Sequence, residues 1–182
     1  ALRFALAGNK VLIGSRDRER ANVAAQKVLD LAEGLWVHGA DNAEVAREAD
    51  IVFIVVPYDA QVALLRDVGV YLRGKTVVNA VIPLVFVDGQ VRIIPVEDGS
   101  AASQAQTLLS ESKVVAGFHS LSAKDLLNPK RVINGDVLVC SDFSDAKKQV
   151  MDLALSIKGV RPVDGGGLIN AGYVENMTAV LL

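Results

Sequence analysis

Six consecutive apolar residues, Ile51 to Val56, stop at Pro57, and this run constrains the fold more than any other stretch of the 182-residue chain. A strand with no polar face must be covered on both sides, as happens in parallel sheets flanked by helices. Comparable short runs recur at Lys10 to Gly14, Thr76 to Asn79 and Lys113 to Gly117, separated by segments with helical composition. Such alternation with short connections predicts right-handed crossovers and a doubly wound α/β parallel sheet. At 51% hydrophobic residues and a mean hydropathy of +0.34, the chain carries enough apolar side chains for that core.

Taken in order, Ala1 to Ala7 has helical composition without a capping residue, and Gly8-Asn9 stops it. A helix is predicted from about Arg18 to Glu33, then a short strand at Leu35 to Val37. Asp41 and Glu44 have capping-box spacing and start a helix that runs to Glu48. The next helix spans about Asp59 to Leu72, with a break near Gly69. Beyond Asn79 the pattern changes, because Leu84 to Val87 and Val91 to Ile94 flank an Asp88-Gly89 turn and predict a β-hairpin. Ser100 then caps a helix to about Ser110. From His119 onward come a helix at Ala123 to Leu127, a strand at Val137 to Cys140, a helix at Asp145 to Ile157, a strand at Arg161 to Asp164 and a helix from Leu168. The chain thus divides into residues 1–117 and a smaller α/β part at 118–182. A doubly wound domain normally opens with a strand and a Gly-x-Gly-x-x-Gly turn ahead of its first helix, whereas this chain starts inside a helix. The expectation is that about ten to fifteen residues precede Ala1 in the natural protein. The apolar Leu181-Leu182 ending has no stop signal, so a continuation is expected there as well.

Several function classes are disfavoured. A net charge of -2 provides no basic field for nucleic acid. A single cysteine, Cys140, rules out an internal disulfide framework and suits a reducing cytoplasm. No apolar run reaches the roughly 18 residues that span a bilayer, so a soluble cytoplasmic protein is expected. Two histidines, His38 and His119, with one distant cysteine make no convincing metal site. Nucleophile-elbow, cysteine–histidine and metal-helix motifs are also missing. Hydride transfer between two bound carriers needs none of these groups, since it rests on position and exclusion of water.

The chemistry-bearing stretch is Val11 to Arg20, VLIGSRDRER. In a nucleotide-binding α/β domain the end of the second strand meets the adenosine ribose, and an acidic residue there would select a free 2′-hydroxyl. This chain offers Ser15 and Arg16 instead, then Arg18 and Arg20. Arginines at a helix N-terminus oppose the macrodipole unless an anion offsets them. The pattern favours a 2′-phosphate, hence NADP over NAD; the alternative is a solvated helix start whose arginines pair with Asp17 and Glu19.

An ordered set of short motifs joins this one. Gly14-Ser15-Arg16, IVFIVVP (Ile51–Pro57), VVNAVIP (Val77–Pro83) and VVAGFHSLSA (Val114–Ala123) are followed by DVLVCSD (Asp136–Asp142), PVDGGGL (Pro162–Leu168) and VENMT (Val174–Thr178). The whole chain in this order resembles the NADPH-dependent reductases of the deazaflavin coenzyme F420. The resemblance implies an N-terminal Rossmann-type domain that binds NADP, a small C-terminal domain closing the cleft, hydride transfer between NADPH and F420, and a homodimer. It implies 2′-phosphate contacts at Ser15, Arg16 and Arg20, with Arg18 outside the set. Val56 and Pro57 match the wall of the dinucleotide cleft; Asn79, Ala80, Ile82 and Pro83 match the nicotinamide surroundings. His119, Leu121, Asn176 and Thr178 match the deazaflavin pocket. Two other readings stay open: a flavin or ferric reductase of the same fold, and an NADP-sensing module without turnover.

Overall fold

The computed structural model describes residues 1–181. Helix α1 (Leu2–Leu6) leads into strand β1 (Val11–Ser15), helix α2 (Arg18–Leu29) and strand β2 (Val37–Asp41), and β2 lies parallel to β1 with Ser15 opposite Asp41. Next come α3 (Asn42–Glu48), β3 (Ile51–Ile54), α4 (Tyr58–Val68) with a 3-10 turn at Gly69–Tyr71, and β4 (Thr76–Asn79). An antiparallel hairpin, β5 (Leu84–Val87) and β6 (Gln90–Ile93), precedes α5 (Ala101–Leu108) and β7 (Lys113–Ala116). The remainder is α6 (Ala123–Leu126), β8 (Gly135–Val139), α7 (Ser144–Leu155), β9 (Val160–Asp164) and α8 (Ala171–Leu181), the last entered through a 3-10 turn at Leu168–Asn170.

Strands β3, β4 and β7 form a parallel sheet in that order, with Asn79 facing Ile54 on one side and Ala116 on the other. Strand β4 is buried along its whole length, as a central strand with helices on both faces requires. Strands β8 and β9 pair in parallel, and β8 meets β7 through reciprocal Ala116–Cys140 bonds of 2.9 and 3.0 Å. Among the described residues no ladder joins β1–β2 to β3–β4–β7. Helix α1 spans the two groups. Its Leu2 and Ala5 enter the core beneath α2, while Phe4 packs against Phe53 and Phe118 with ring centroids 5.3 and 5.9 Å away. Arg3 donates to the carbonyls of Asp125, Leu126 and Asn128, satisfying acceptors at the end of α6 that the helix cannot bond internally.

Two cores sandwich the central sheet. One lies under α4, α5 and α8 and includes Leu65, Leu72, Val77 and Val114; the other lies under α7 and includes Val78, Val115, Val137 and Val150. Both contain side chains from before and after residue 117.

Local signals place most elements, and the departures have physical causes. Asp88 and Gly89 take φ of 51° and 76°, the left-handed pair that a two-residue hairpin needs. Asp41 caps α3 by accepting from the Glu44 N–H at 2.8 Å, but the reciprocal half of the capping box is missing because the Glu44 carboxylate pairs with Arg18. Helix α2 ends at Leu29 rather than Glu33, since the chain turns back through Gly34 at φ 72° to bring β2 beside β1. Strand β2 occupies Val37–Asp41 rather than Leu35–Val37. Its Gly39-Ala40 centre has low strand propensity, but a Cβ at Gly39 would lie 2.4 Å from the backbone of Ala21 and Asn22, so only glycine lets α2 sit this close. Strand β3 stops at Ile54, and Val55 is 72% exposed as the chain leaves the sheet.

Candidate functional site

In open α/β sheets ligands bind beyond the carboxyl ends of the parallel strands. Here those ends are Ser15 of β1, Val55 to Pro57 after β3, Asn79 to Pro83 after β4, and Gly117 to Leu121 after β7. The loops after β3, β4 and β7 are tied together by the backbone: the Ala80 N–H donates to the Ile54 carbonyl at 3.1 Å, and the Gly117 N–H donates to the Asn79 carbonyl at 3.2 Å. Val56, Asn79, Ala80 and His119 therefore converge on one edge of the sheet. Val56 is half-buried against the α4 core, and Pro57 directs the chain straight into α4. Ile82 is half-buried and Pro83 buried, leading into the hairpin. Leu121 packs on the core beneath α7.

The β1 end is built differently. Asp17 caps α2, accepting from the N–H groups of Glu19 and Arg20 at 2.9 and 3.4 Å, and Ser15 Oγ accepts from the Asp17 N–H at 3.2 Å. The three arginines have separate fates. Arg18 reaches across to α3 and pairs with Asp41 at 3.0 Å and with Glu44, and these carboxylates raise its pKa. Arg20 lies 3.7 Å from Asp17, a loose and exposed contact. Arg16 is exposed and has no hydrogen-bond or ion-pair partner among the described residues. Helix start and free guanidinium thus stand side by side at the end of β1.

His119 is the unusual group. It is 6% exposed, and neither ring nitrogen has a partner. Burial pushes its pKa down to about 4, so the imidazole is neutral at physiological pH, with one N–H to donate and one nitrogen to accept. Phe118, just before it, has φ 70°, a left-handed conformation rare for a bulky residue, and its ring is locked edge-on against Phe4 and Phe53. The aromatic contact holds the turn that delivers His119.

Helix α8 carries Asn176, which is exposed, and Thr178, which is buried and donates to the Val174 carbonyl at 3.0 Å. No hydrogen bond joins either side chain to the loops after β3, β4 or β7 among the described residues. Two buried polar residues have no role assigned from sequence, Gln61 on α4 and Glu175 on α8, the latter inside the VENMT motif, and both are 0% exposed. The signal available in sequence is a lone carboxylate within the apolar stretch AGYVENMTAVL.

The family model described as NADP oxidoreductase, coenzyme F420-dependent, matches residues 1–83. Over 188 residues the chain is 44% identical to the F420-dependent NADP reductase of Methanothermobacter marburgensis, spanning 100% of this chain and 84% of that protein. The chain belongs to the F420-dependent NADP reductase family. The member from Methanocaldococcus jannaschii is 36% identical over 191 residues, again across 100% of this chain and 84% of its own length. A crystal structure of a candidate F420-dependent NADP-reductase from Arthrobacter sp. FB24 superposes with a TM-score of 0.81 at 27% identity, covering 98% of this chain and 86% of that one. Family membership brings the ordered motifs and the converging strand ends under one explanation.

Proposed function

We propose that this chain binds NADPH along the carboxyl edge of its parallel strands and exchanges a hydride reversibly with the deazaflavin of coenzyme F420. The observation that carries the reading is His119, a buried imidazole with both nitrogens unpartnered beside the Asn79 loop. An orphaned buried donor costs about 1 to 3 kcal/mol, which a ligand carbonyl would recover. The unpaired Arg16 guanidinium fits the adenosine 2′-phosphate in the same way.

When bound, the nicotinamide supplies the hydride and the deazaflavin ring accepts it. The chain's own contribution is binding and position. Ser15 and Arg16 hold the 2′-phosphate, with Arg20 as a looser cation at the rim. Val56 and Pro57 wall the dinucleotide, and Asn79, Ala80, Ile82 and Pro83 line the nicotinamide end. His119 donates to an acceptor carbonyl as a neutral imidazole; with a pKa near 4 it holds no second proton to give at neutral pH. Leu121, Asn176 and Thr178 complete the acceptor side. Residues 1–117 form the NADP-binding part and 118–182 close over the acceptor, and the protein acts as a cytoplasmic homodimer, a state that light scattering in solution tests.

The deciding experiment mixes the protein with NADPH and F420 and follows the deazaflavin's visible absorbance. Bleaching with matched NADPH oxidation is expected. Oxidation of NADPH by a flavin or a ferric chelate, with F420 untouched, would reject F420 as acceptor; NADPH binding without oxidation by any of them would make the protein a sensor.

A further inference from the structure

A continuous chain of buried hydrogen bonds runs from α8 to the loop after β4. The Glu175 carboxylate accepts from the N–H groups of Ala101 and Ala102 at 2.8 and 3.1 Å, capping α5 from another helix. The carbonyl of Ala101 accepts from Gln61 Nε2 at 3.0 Å. Gln61 Oε1 accepts from Asn79 Nδ2 at 2.7 Å, and Asn79 Oδ1 accepts from the Val81 N–H at 3.1 Å. A side branch runs from Gln61 Nε2 to Gln104 Oε1 at 3.1 Å, and from Gln104 Nε2 to the Tyr58 hydroxyl at 3.2 Å.

The sense of the chain is self-consistent. Both Glu175 oxygens face α5 N–H groups and so accept, although burial pushes this carboxyl up to about 7; the Gln61 amide NH2 then has two acceptors before it, which leaves the Gln61 oxygen to Asn79. Asn79 is left with its oxygen free for Val81. Glu175, Gln61 and Asn79 are each 0% exposed, so water cannot substitute for a lost partner, and each bond is of the kind that is costly to leave unmade. The Ala101–Ala102 peptide is the hinge of the arrangement: its N–H donates to Glu175 and its carbonyl accepts from Gln61.

We propose that Gln61 and Glu175 are positioning residues, and that through Ala101 they tie the Asn79–Pro83 loop to helix α8. Resting on the hydride-transfer reading above, the relay sets the nicotinamide side of the site against the acceptor-side helix. It explains why a carboxylate sits inside an otherwise apolar helix, and why an amide pair lies in the apolar core beneath α5.

The test needs no acceptor. Amide hydrogen exchange is measured on the ligand-free protein with Glu175→Gln, an isosteric change that sets an amino group against an N–H donor. Exchange should rise about three- to tenfold at Ala101 and Ala102 and also at Val81, the far end of the chain. Gln61→Leu should raise exchange at Val81 similarly, and Glu175→Gln added to it should raise Val81 no further. If Gln61→Leu does not fold, Gln61→Met takes its place. Faster exchange at Ala101 and Ala102 with Val81 unchanged would overturn the relay, as would independent, multiplying effects in the double variant. With turnover established, both single variants should raise the KM for NADPH about three- to tenfold with a smaller change in kcat, and a purely structural role would leave KM unmoved. Absence of F420 reduction by the unsubstituted protein would defeat the proposed function, and the exchange result would still decide the relay.

Discussion

Arg18 pairs with Asp41 at 3.0 Å across the start of α2 and the end of β2, and Arg16, two residues earlier, pairs with nothing among the described residues. The same short stretch therefore supplies one arginine to the fold and one to solvent. Arg16→Ala should lose a charge-assisted phosphate contact worth about 1.5 to 3 kcal/mol, or roughly 10- to 150-fold in NADP affinity, with NAD affinity almost unchanged. Arg18→Ala should lower thermal stability slightly and alter NADP affinity far less. Titration of each variant with both dinucleotides separates the roles; equal weakening toward both by Arg16→Ala would make that arginine structural.

His119 should behave oppositely in stability and in function. Replacing it with leucine removes an orphaned buried polar group, so at pH 7 the ligand-free His119→Leu protein should gain about 1 to 3 kcal/mol in urea unfolding. The KM for the acceptor should rise about tenfold because the donor is gone. A loss of stability with unchanged KM would assign His119 to packing.

The same residue sets an acid limit. Its pKa is about 4 in the folded protein, against 6.5 as the ordinary value, so the unfolded chain binds the extra proton more readily between those values. The stability contribution is complete above pH 6.5 and is lost as pH falls toward 4, by about 3 kcal/mol in all. Melting curves across this window should show the decline, and His119→Leu should flatten it.

Gly39 is predicted to be irreplaceable for packing reasons. Adding a methyl group drives a Cβ to 2.4 Å from the backbone of Ala21 and Asn22, and backbone cannot step aside as a flexible side chain would. Gly39→Ala should cost about 1 to 3 kcal/mol and, by pushing α2 off β2, weaken NADP binding at the β1 end. Urea unfolding and NADP titration together check this; a neutral outcome in both would refute the close approach.

Lys75 supports the opposite end of α3. Its ammonium donates to the carbonyls of Ala46, Arg47 and Ala49 at 2.7 to 2.8 Å, acceptors that the last helical turn leaves unmet. Lys75→Met keeps the stem and removes the donors, with an expected loss of about 1 to 3 kcal/mol measured by urea unfolding and no change in cofactor affinity.

What could be read without coordinates was local. The hairpin at Asp88-Gly89, the cap at Asp41, the break at Gly69 and the strand Thr76–Asn79 each follow from residue types within a few positions of one another, and the structure places all four as expected. The frame of β2 escaped because Gly39 and Ala40 are poor strand formers, and their strand exists only through pairing with β1 and contact with α2. Among candidate site residues, Arg16 and His119 were visible as types in motifs. That Arg16 is unpaired while Arg18 is paired depends on where α3 lies, which no spacing encodes.

The sequence by itself determined the class of the fold and the family, because apolar runs, turn pairs and ordered motifs are properties of neighbouring residues. Tertiary structure alone decided which polar groups are left without partners and which are joined. His119 is orphaned, and Glu175 reaches Asn79 through Ala101 and Gln61, because strands and helices far apart in the chain bury these groups away from water. A polar side chain's role is set by whether its partner is protein, ligand or solvent, and that choice is made only when the chain has closed around it.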